Sequence, residues 1–533
     1  MAAKDATLPQ FEATALDLIP KVASAARGTF RTHKTKKVQW RIVQLRKLYW
    51  AIEDFRPRLI AALMHDLHKS EFEAVLTEID WLLKDCMFMI KHLNDFAKDE
   101  KLGSPAVPIT YSMMNFRTRK EPLGAVLIIG PYNYPLQLLL APLIGAIGAG
   151  CTAVLKPSEL TTACAMVVKE MIETRLDRSA FTVVNGAIPE TNALLAEKWD
   201  KIFFTGSDVV GKIVAKKAAE TLTPVCLELG GKNPAFVTKN ANLALAARRL
   251  LWGKTHNSGQ VCMSQNYVLI DKQVVPAFTE FLKVAYKDMF PDGAKASPDL
   301  GRIVNARHFH RIKKMLDDTK GKVVMGGEVD EAELYIEPTA VLVSSTDDSM
   351  IKEESFGPIF ALYPVNSLDD ALNVAASVHR TPLSLYTFGS KSENERVLNE
   401  MTSGGATLND SFFHGSVNTV PFGGVGDSGW GSYRGKASFD CFTHFRTIAE
   451  TPSWADKILR VRYMPYDMSK MRLLARLTTP KPNFDRSGSI VRGFSYWVKL
   501  IFGLGASSAK GALFRWLLLL AVNYLLKASR AAR

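Results

Sequence analysis

Residues 124–159 read GAVLIIGPYNYPLQLLLAPLIGAIGAGCTAVLKPSE. Ala125–Gly130 is a short continuous apolar run, the pattern of a strand buried on both faces. A Pro-Tyr-Asn-Tyr-Pro loop follows at 131–135, then an apolar helix from Leu136 to about Ile147, then a second strand at Thr152–Lys156. Strand, helix and strand within roughly 30 residues make a βαβ unit, which requires a parallel sheet.

Working outward, the pattern continues on the C-terminal side. Strands are predicted at Phe181–Asn185, Lys201–Thr205 and Val225–Leu229, with helical stretches between them. This half is an α/β, doubly wound, Rossmann-like nucleotide-binding design. A second α/β set begins at Asn233, with strands at Ala235–Val237, Tyr267–Ile270, Phe360–Val365, Leu383–Phe388 and Ala406–Leu408. Helices around Pro276–Met289 and Ala306–Thr319 lie between them. Gly415–Gly435 is loop-like. On the N-terminal side, Leu18–Lys98 reads as helical scaffold, with Ile42, Leu45, Leu48, Ile52, Leu59, Leu63 and Leu67 at helical spacing.

The 533 residues, 47% apolar and 23% charged, are enough for two or three domains with real cores. Six cysteines stand without CxxC spacing, which argues against a zinc ribbon, a metal site or a disulfide framework. MAAKDATLPQ has no apolar h-region, so a secreted protein is not expected. The net charge is +14, but Thr451–Arg533 holds 15 Lys+Arg against 3 Asp+Glu. That is +12 in the tail and +2 in the 450 residues before it. A nucleic-acid enzyme puts its basic stripe beside the active site, so no nucleic acid is expected as partner.

Several short motifs carry chemistry. Cys262 ends Asn257-Ser-Gly-Gln-Val-Cys262, on a loop between a helix and a predicted strand, where open α/β sheets bind ligands. A thiol must lose its proton to attack a carbonyl; alone, however, Cys262 reads as a buried structural cysteine. Glu228, in Leu227-Glu-Leu-Gly-Gly-Lys-Asn-Pro234, is a carboxylate amid apolar strand residues. Burial suits it to general-base work; it can equally cap a helix or pair with Lys232. Asn133 can donate to a developing oxyanion, or simply serve the turn. Gly145–Gly150 precedes a strand, so it is not a G-x-G-x-x-G dinucleotide loop. Gly206 and Ser207 do follow a strand and open a helix, a ready pyrophosphate site, with Gly211 further on. Lys156 and Glu159 end another strand, placed for ribose hydroxyls, and Glu159 disfavours a 2′-phosphate.

Together these motifs resemble the aldehyde dehydrogenase superfamily over roughly Leu18–Thr447. They appear in order as PYNYP, LKPSE, FTGS, LELGGKNP, NSGQVC, EESFGPI (Glu354, Phe356) and PFGGVGDSGWG (Pro421–Gly431). The resemblance implies Cys262 as nucleophile and Asn133 with the Cys262 N–H as oxyanion hole. It implies Glu228 as the base that activates the hydrolytic water. It gives Lys156, Glu159, Gly206, Ser207, Gly211, Glu354 and Phe356 to the cofactor, NAD with NADP also admitted. Relatives that pass the acyl group to CoA often lack the glutamate, so its presence favours a free acid.

The helical opening and FGGVGDSGWGSYRGKASFDCFTHFRTI resemble the class 3 and fatty aldehyde branch. That implies a homodimer and a long-chain aldehyde, with aromatic or short-chain aldehydes as the alternative. The implied organisation is an NAD(P)-binding domain at 18–109 and 126–229, a catalytic domain at 230–411, and small β bridging segments at 110–125 and 412–447. A basic apolar helical tail occupies 451–533. A catalytically silent, membrane-tethered relative is opposed by the intact Cys262, Glu228, Asn133 and Glu354. A cysteine hydrolase would need a partner such as His256 and would leave the nucleotide motifs unexplained.

In the tail, Phe494–Gly505 is aromatic-rich and Ala512–Leu526 is strongly apolar, with Arg515 and Asn523 inside it. Fifteen residues at about 1.5 Å each reach roughly 22 Å, short of a hydrocarbon core of about 30 Å. The tail is expected to associate with a membrane facing the cytosol (endoplasmic reticulum, mitochondrial outer membrane or lipid droplet). An interfacial or hairpin anchor, with Trp497, Tyr496 and Trp516 at the interface, fits as well as a span.

Overall fold

The five residues Ala125–Ile129 (β1) are all buried, as an apolar run flanked by helices on both faces must be. The other strands of this sheet are Thr152–Lys156 (β2), Phe181–Val183 (β3), Lys201–Thr205 (β4) and Val225–Glu228 (β5). They lie parallel in the order β5-β4-β1-β2-β3, and Gly429–Trp430 adds antiparallel to β5. The chain leaves β1 in one direction and returns to β4 on its other side. That reversal opens a crevice beyond the carboxyl ends of β1 and β4, where doubly wound sheets bind ligands. This is a computed structural model, and it describes residues 7–103, 105–479, 482–491, 493–503 and 509–531.

The second sheet holds Asn233–Val237 (β6), Gln265–Asp271 (β7), Lys322–Met325 (β8), Thr339–Leu342 (β9), Ile359–Val365 (β10), Ser384–Phe388 (β11) and Gly405–Leu408 (β12). Its order is β8-β9-β10-β7-β6-β11-β12, all parallel except β8. Strands β8 and β9 were not expected from the sequence. A small third sheet joins Glu100–Lys101, Arg117–Pro122 and Thr443–Ile448, with antiparallel register from Thr443↔Pro122 to Ile448↔Arg117. The architecture is the expected α/β one.

The N-terminal scaffold is helical as predicted. Val38–Leu67 (α1) buries Ile42, Leu45, Leu48, Ile52, Leu59, Leu63 and Leu67, the stripe read from spacing. A short turn, Glu71–Ala74, runs into a π-helical turn, Val75–Ile79, before Asp80–Phe96 (α2). The first βαβ helix is Gln137–Ala149 (α3), buried along its whole length.

The chain divides into two compact units: residues up to Lys101 with Arg117–Ile448, and Leu102–Phe116 with Ala449–Arg533. In the second, the predicted apolar segments are the helices Phe494–Gly503 and Ala509–Ala531. Leu504, Gly505 and Arg533 of those predictions lie outside the described residues. The two helices pack together, and the Trp516 indole N–H donates to the Phe502 carbonyl at 2.7 Å. Among the described residues no helix is long and apolar enough to cross a membrane.

Candidate active site

Four of the singled-out segments meet at the carboxyl edge of the first sheet. Asn133 follows β1, Lys156 ends β2, Gly206 and Ser207 follow β4, and Glu228 ends β5. Cys262 enters from the second sheet, on the connection between the helix Leu243–Thr255 and β7.

That connection is held in an unusual shape. Asn257, Ser258 and Gly259 have φ of 49°, 51° and 69°, three left-handed residues in succession. Such residues persist only where their surroundings fix them, and they gather at functional sites. A Cβ on Gly259 would lie 2.1 Å from the Gly357 carbonyl oxygen, so no other residue fits. Asn233 Nδ2 donates to the carbonyls of Cys262 (2.7 Å) and Ser264 (2.9 Å). Asn133 Nδ2 donates to the Gln260 carbonyl at 2.9 Å, which sets its amide beside the same loop.

Cys262 keeps part of its surface open. Burial pushes its thiol up to about 12; the charges of Glu354 and Glu228 add to this, and Arg434 and the Met263 N–H oppose it. Glu228 is 3% exposed, and neither carboxylate oxygen has a hydrogen-bond partner among the described residues. Burial holds its pKa well above the usual carboxylate range, against the Arg434 charge. Lys232 does not pair with it and donates instead to the Lys352 carbonyl at 3.3 Å. A carboxylate left unpaired out of water is costly, and perturbed groups of this kind cluster at working sites.

The residues expected to hold a dinucleotide fit one. Ser207 caps the helix Asp208–Glu220, its Oγ accepting from the Val210 N–H. Among the described residues the Asp208 and Val209 N–H groups of that terminus have no hydrogen-bond partner, which suits them to phosphate oxygens. Val209, Val210 and Ile213 leave an exposed apolar surface beside it. Gly211 packs against Leu229. The Lys156 ammonium lies 3.6 Å from the Glu159 carboxylate, and the latter is more than a third exposed. Glu354 reaches the same end of the sheet because Gly230 has no side chain: a Cβ there would sit 2.5 Å from its Oε2. Burial raises the Glu354 carboxyl to about 7, opposed by the Gly231 N–H, Lys254 and Arg311. Phe356 has φ 43° and meets Tyr132 edge to face, with ring centres 5.9 Å apart.

Sequence reading missed a run of rings beside the loop that carries Cys262. Tyr134, next to Asn133, lies 6.3 Å from His256; His256 lies 5.8 Å from Trp252 and 6.0 Å from Phe412. Phe412 meets Trp252 at 5.5 Å and Tyr386 at 6.4 Å, and the Tyr386 hydroxyl donates to the Met263 carbonyl. The run ends at the surface, where Trp252 is 40% and Phe413 57% exposed. His256 pairs with Glu73 at 3.0 Å, so it is committed elsewhere than to Cys262. No sequence signal linked these aromatics, which come from four separate segments.

A crevice fitted for a dinucleotide, a loop-borne thiol and a buried carboxyl unpaired among the described residues meet at one sheet edge, the arrangement of an NAD(P)-dependent oxidoreductase. The chain belongs to the aldehyde dehydrogenase family, whose sequence profile matches residues 2–448. It is 69% identical to a beta-apo-4'-carotenal oxygenase of Neurospora crassa, over 100% of both chains. It is 41% identical to the dimeric NADP-preferring aldehyde dehydrogenase of Canis lupus familiaris, over 85% of this chain and 99% of that one. A solved structure of a Staphylococcus aureus aldehyde dehydrogenase, AldH in a substrate-bound state, superposes with a TM-score of 0.79 at 38% identity. It covers 83% of this chain and 98% of that one. The chain is thus an aldehyde-oxidising enzyme of the class 3-like branch, and NAD(P) is its cofactor.

Proposed function

We propose that this enzyme oxidises a long apolar aldehyde, of the apocarotenal type, to its carboxylic acid. The observation that carries the substrate is the run of rings from Tyr134 through His256 and Phe412 to the half-exposed Trp252. A flat, conjugated chain stacks on aromatic side chains, and each such contact adds about 0.5–1.5 kcal/mol beyond area burial. The name of the Neurospora relative points the same way.

In this reading the Cys262 thiol gives up its proton to solvent water as Sγ attacks the aldehyde carbon. Asn133 Nδ2 and the Cys262 N–H receive the oxyanion, at the cost of the present bond from Asn133 to Gln260. Bound NAD(P) supplies the two-electron acceptor that leaves a thioester on Cys262. Glu228 takes a proton from the water that hydrolyses it. Lys156, Glu159 and Glu354 hold ribose hydroxyls, Gly206 and Ser207 receive the pyrophosphate, and Gly211 and Phe356 shape the cofactor's bed. The chain acts as a homodimer, as its class 3-like relative does by name.

With NAD and a C35 apocarotenal, the purified enzyme is expected to give one NADH per aldehyde, read at 340 nm. Its kcat/KM should exceed that for a short aliphatic aldehyde by at least about tenfold. Each methylene in an apolar pocket is worth about 1–3 kcal/mol of discrimination. Equal values for the two aldehydes would remove the substrate assignment and leave the chemistry standing.

The tail supports a second element of the reading. Phe502, Phe514, Leu517, Leu518 and Leu520 are all exposed on its helices. Contiguous apolar surface of this kind marks an interaction site, and basic flanks favour anionic lipid. The tail lies in the interface of a cytosol-facing membrane as a helical pair, where such aldehydes partition. The full chain should co-sediment with anionic vesicles and a chain ending at Glu450 should not; identical behaviour of the two excludes the anchor.

A further inference from the structure

Beneath the Asn133 loop lies an ion pair wholly out of water. Lys69 and Glu78 are both 0% exposed, and Lys69 Nζ donates to Glu78 Oε1 at 2.5 Å. A buried pair of this kind is a poor source of stability, because the desolvation of two charges offsets their attraction. What it touches is therefore informative. Lys69 Nζ also donates to the Asn133 carbonyl at 3.2 Å and sits 4.2 Å over the Tyr134 ring. Glu78 Oε2 accepts from the Leu136 and Gln137 N–H groups at 2.9 and 3.2 Å, capping the start of α3. The Asn133 carbonyl and the backbone that follows it are thus tied to one pair. Asn257 of the nucleophile loop donates to the same Asn133 carbonyl at 2.9 Å.

The backbone is shaped for this. Glu78 lies in the π-helical turn Val75–Ile79, an irregularity between two α-helical stretches. The wider turn shifts the residues after it round the helix axis, and π-turns of this sort recur at functional sites. Here it leaves Glu78 and Ile79 buried and Leu76 exposed.

We propose that Lys69 and Glu78 are positioning residues for the oxyanion site, fixing the Asn133 amide relative to Cys262. This rests on the reading of Asn133 as an oxyanion donor, and the test separates the two. The burst of NADH that reports acylation is measured in stopped flow for the wild type, Lys69→Met, Lys69→Arg, Asn133→Ala and the double variant Lys69→Met/Asn133→Ala. One misplaced donor is worth about 10²–10³ in rate when lost outright. Lys69→Met is expected to slow the burst about 10- to 100-fold with NAD affinity unchanged, and Lys69→Arg to recover most of it. In the Asn133→Ala background, Lys69→Met should cost less than about twofold, because the group it positions is already gone.

The same fold loss in both backgrounds would make Lys69 merely structural and overturn the proposal. An unchanged burst in Asn133→Ala would overturn the oxyanion reading itself. If Lys69→Met does not fold, Glu78→Gln in the same two backgrounds takes its place, because it keeps the shape and removes only the charge.

Discussion

Cys262→Ser is expected to lower NADH formation by about 10⁴-fold or more, the scale seen when an enzyme loses its nucleophile. The thiol already carries a high proton affinity, about 12, from burial and from Glu354 and Glu228. A serine hydroxyl in the same surroundings is a far weaker acid and loses the sulfur's intrinsic nucleophilicity. The raised pKa has its own signature. Below it, the thiolate fraction rises about tenfold per pH unit. Alkylation of the Cys262 peptide by iodoacetamide in the cofactor-free enzyme should therefore climb close to tenfold per unit between about pH 7 and 10. A plateau near neutrality would overturn the raised pKa, and a Cys262→Ser enzyme with more than about 1% of wild-type turnover would take the nucleophile role away from Cys262.

The second large effect belongs to Glu228. Glu228→Gln keeps the side chain's shape but removes the base, and general-base assistance is worth about 10²–10⁴-fold. Steady-state turnover should fall by that factor, while one NADH per active site still appears in the first turnover. The acyl group then remains on the protein, visible as added mass on Cys262. The wild-type hydrolysis rate should rise with pH, since the carboxyl must be ionised to accept a proton and its pKa lies above the ordinary range. The glutamine variant should lose that rise. Stability is expected to hold or improve, because the change removes a buried carboxylate whose oxygens lack partners among the described residues. Loss of the burst together with turnover would instead place Glu228 in the attack step.

Much of the fold was legible in the sequence because its central strands are apolar runs bounded by turns. The run Ala125–Gly130 and the motif loops after it are of that kind, and they also carry the cofactor and thiol residues. The strands of the third sheet carry no pattern of their own, and only the resemblance pointed to β segments there. Arg117–Pro122 reads RTRKEP and Thr443–Ile448 is largely exposed, so neither shows an apolar period. Strands β8 and β9 are four residues each, too short to stand out. At the site, Lys69, Glu73 and Glu78 fall in the stretch read only as helical scaffold. The π-turn that shifts Glu78 inward leaves no periodicity to detect. The ring run was hidden for a different reason: Tyr134, Trp252, His256, Tyr386 and Phe412 are brought together only by tertiary packing.

Gly259 seats its α-carbon against the Gly357 carbonyl, one residue past Phe356. On the proposed assignment of Phe356 to the cofactor, the turn that clasps it and the loop that presents the thiol are a single mechanical part. Neither can drift without carrying the other, so the distance between electron acceptor and nucleophile is inherited from one backbone contact and does not have to be re-established at each binding event. The spacing on which the chemistry depends is held to the tolerance of a glycine.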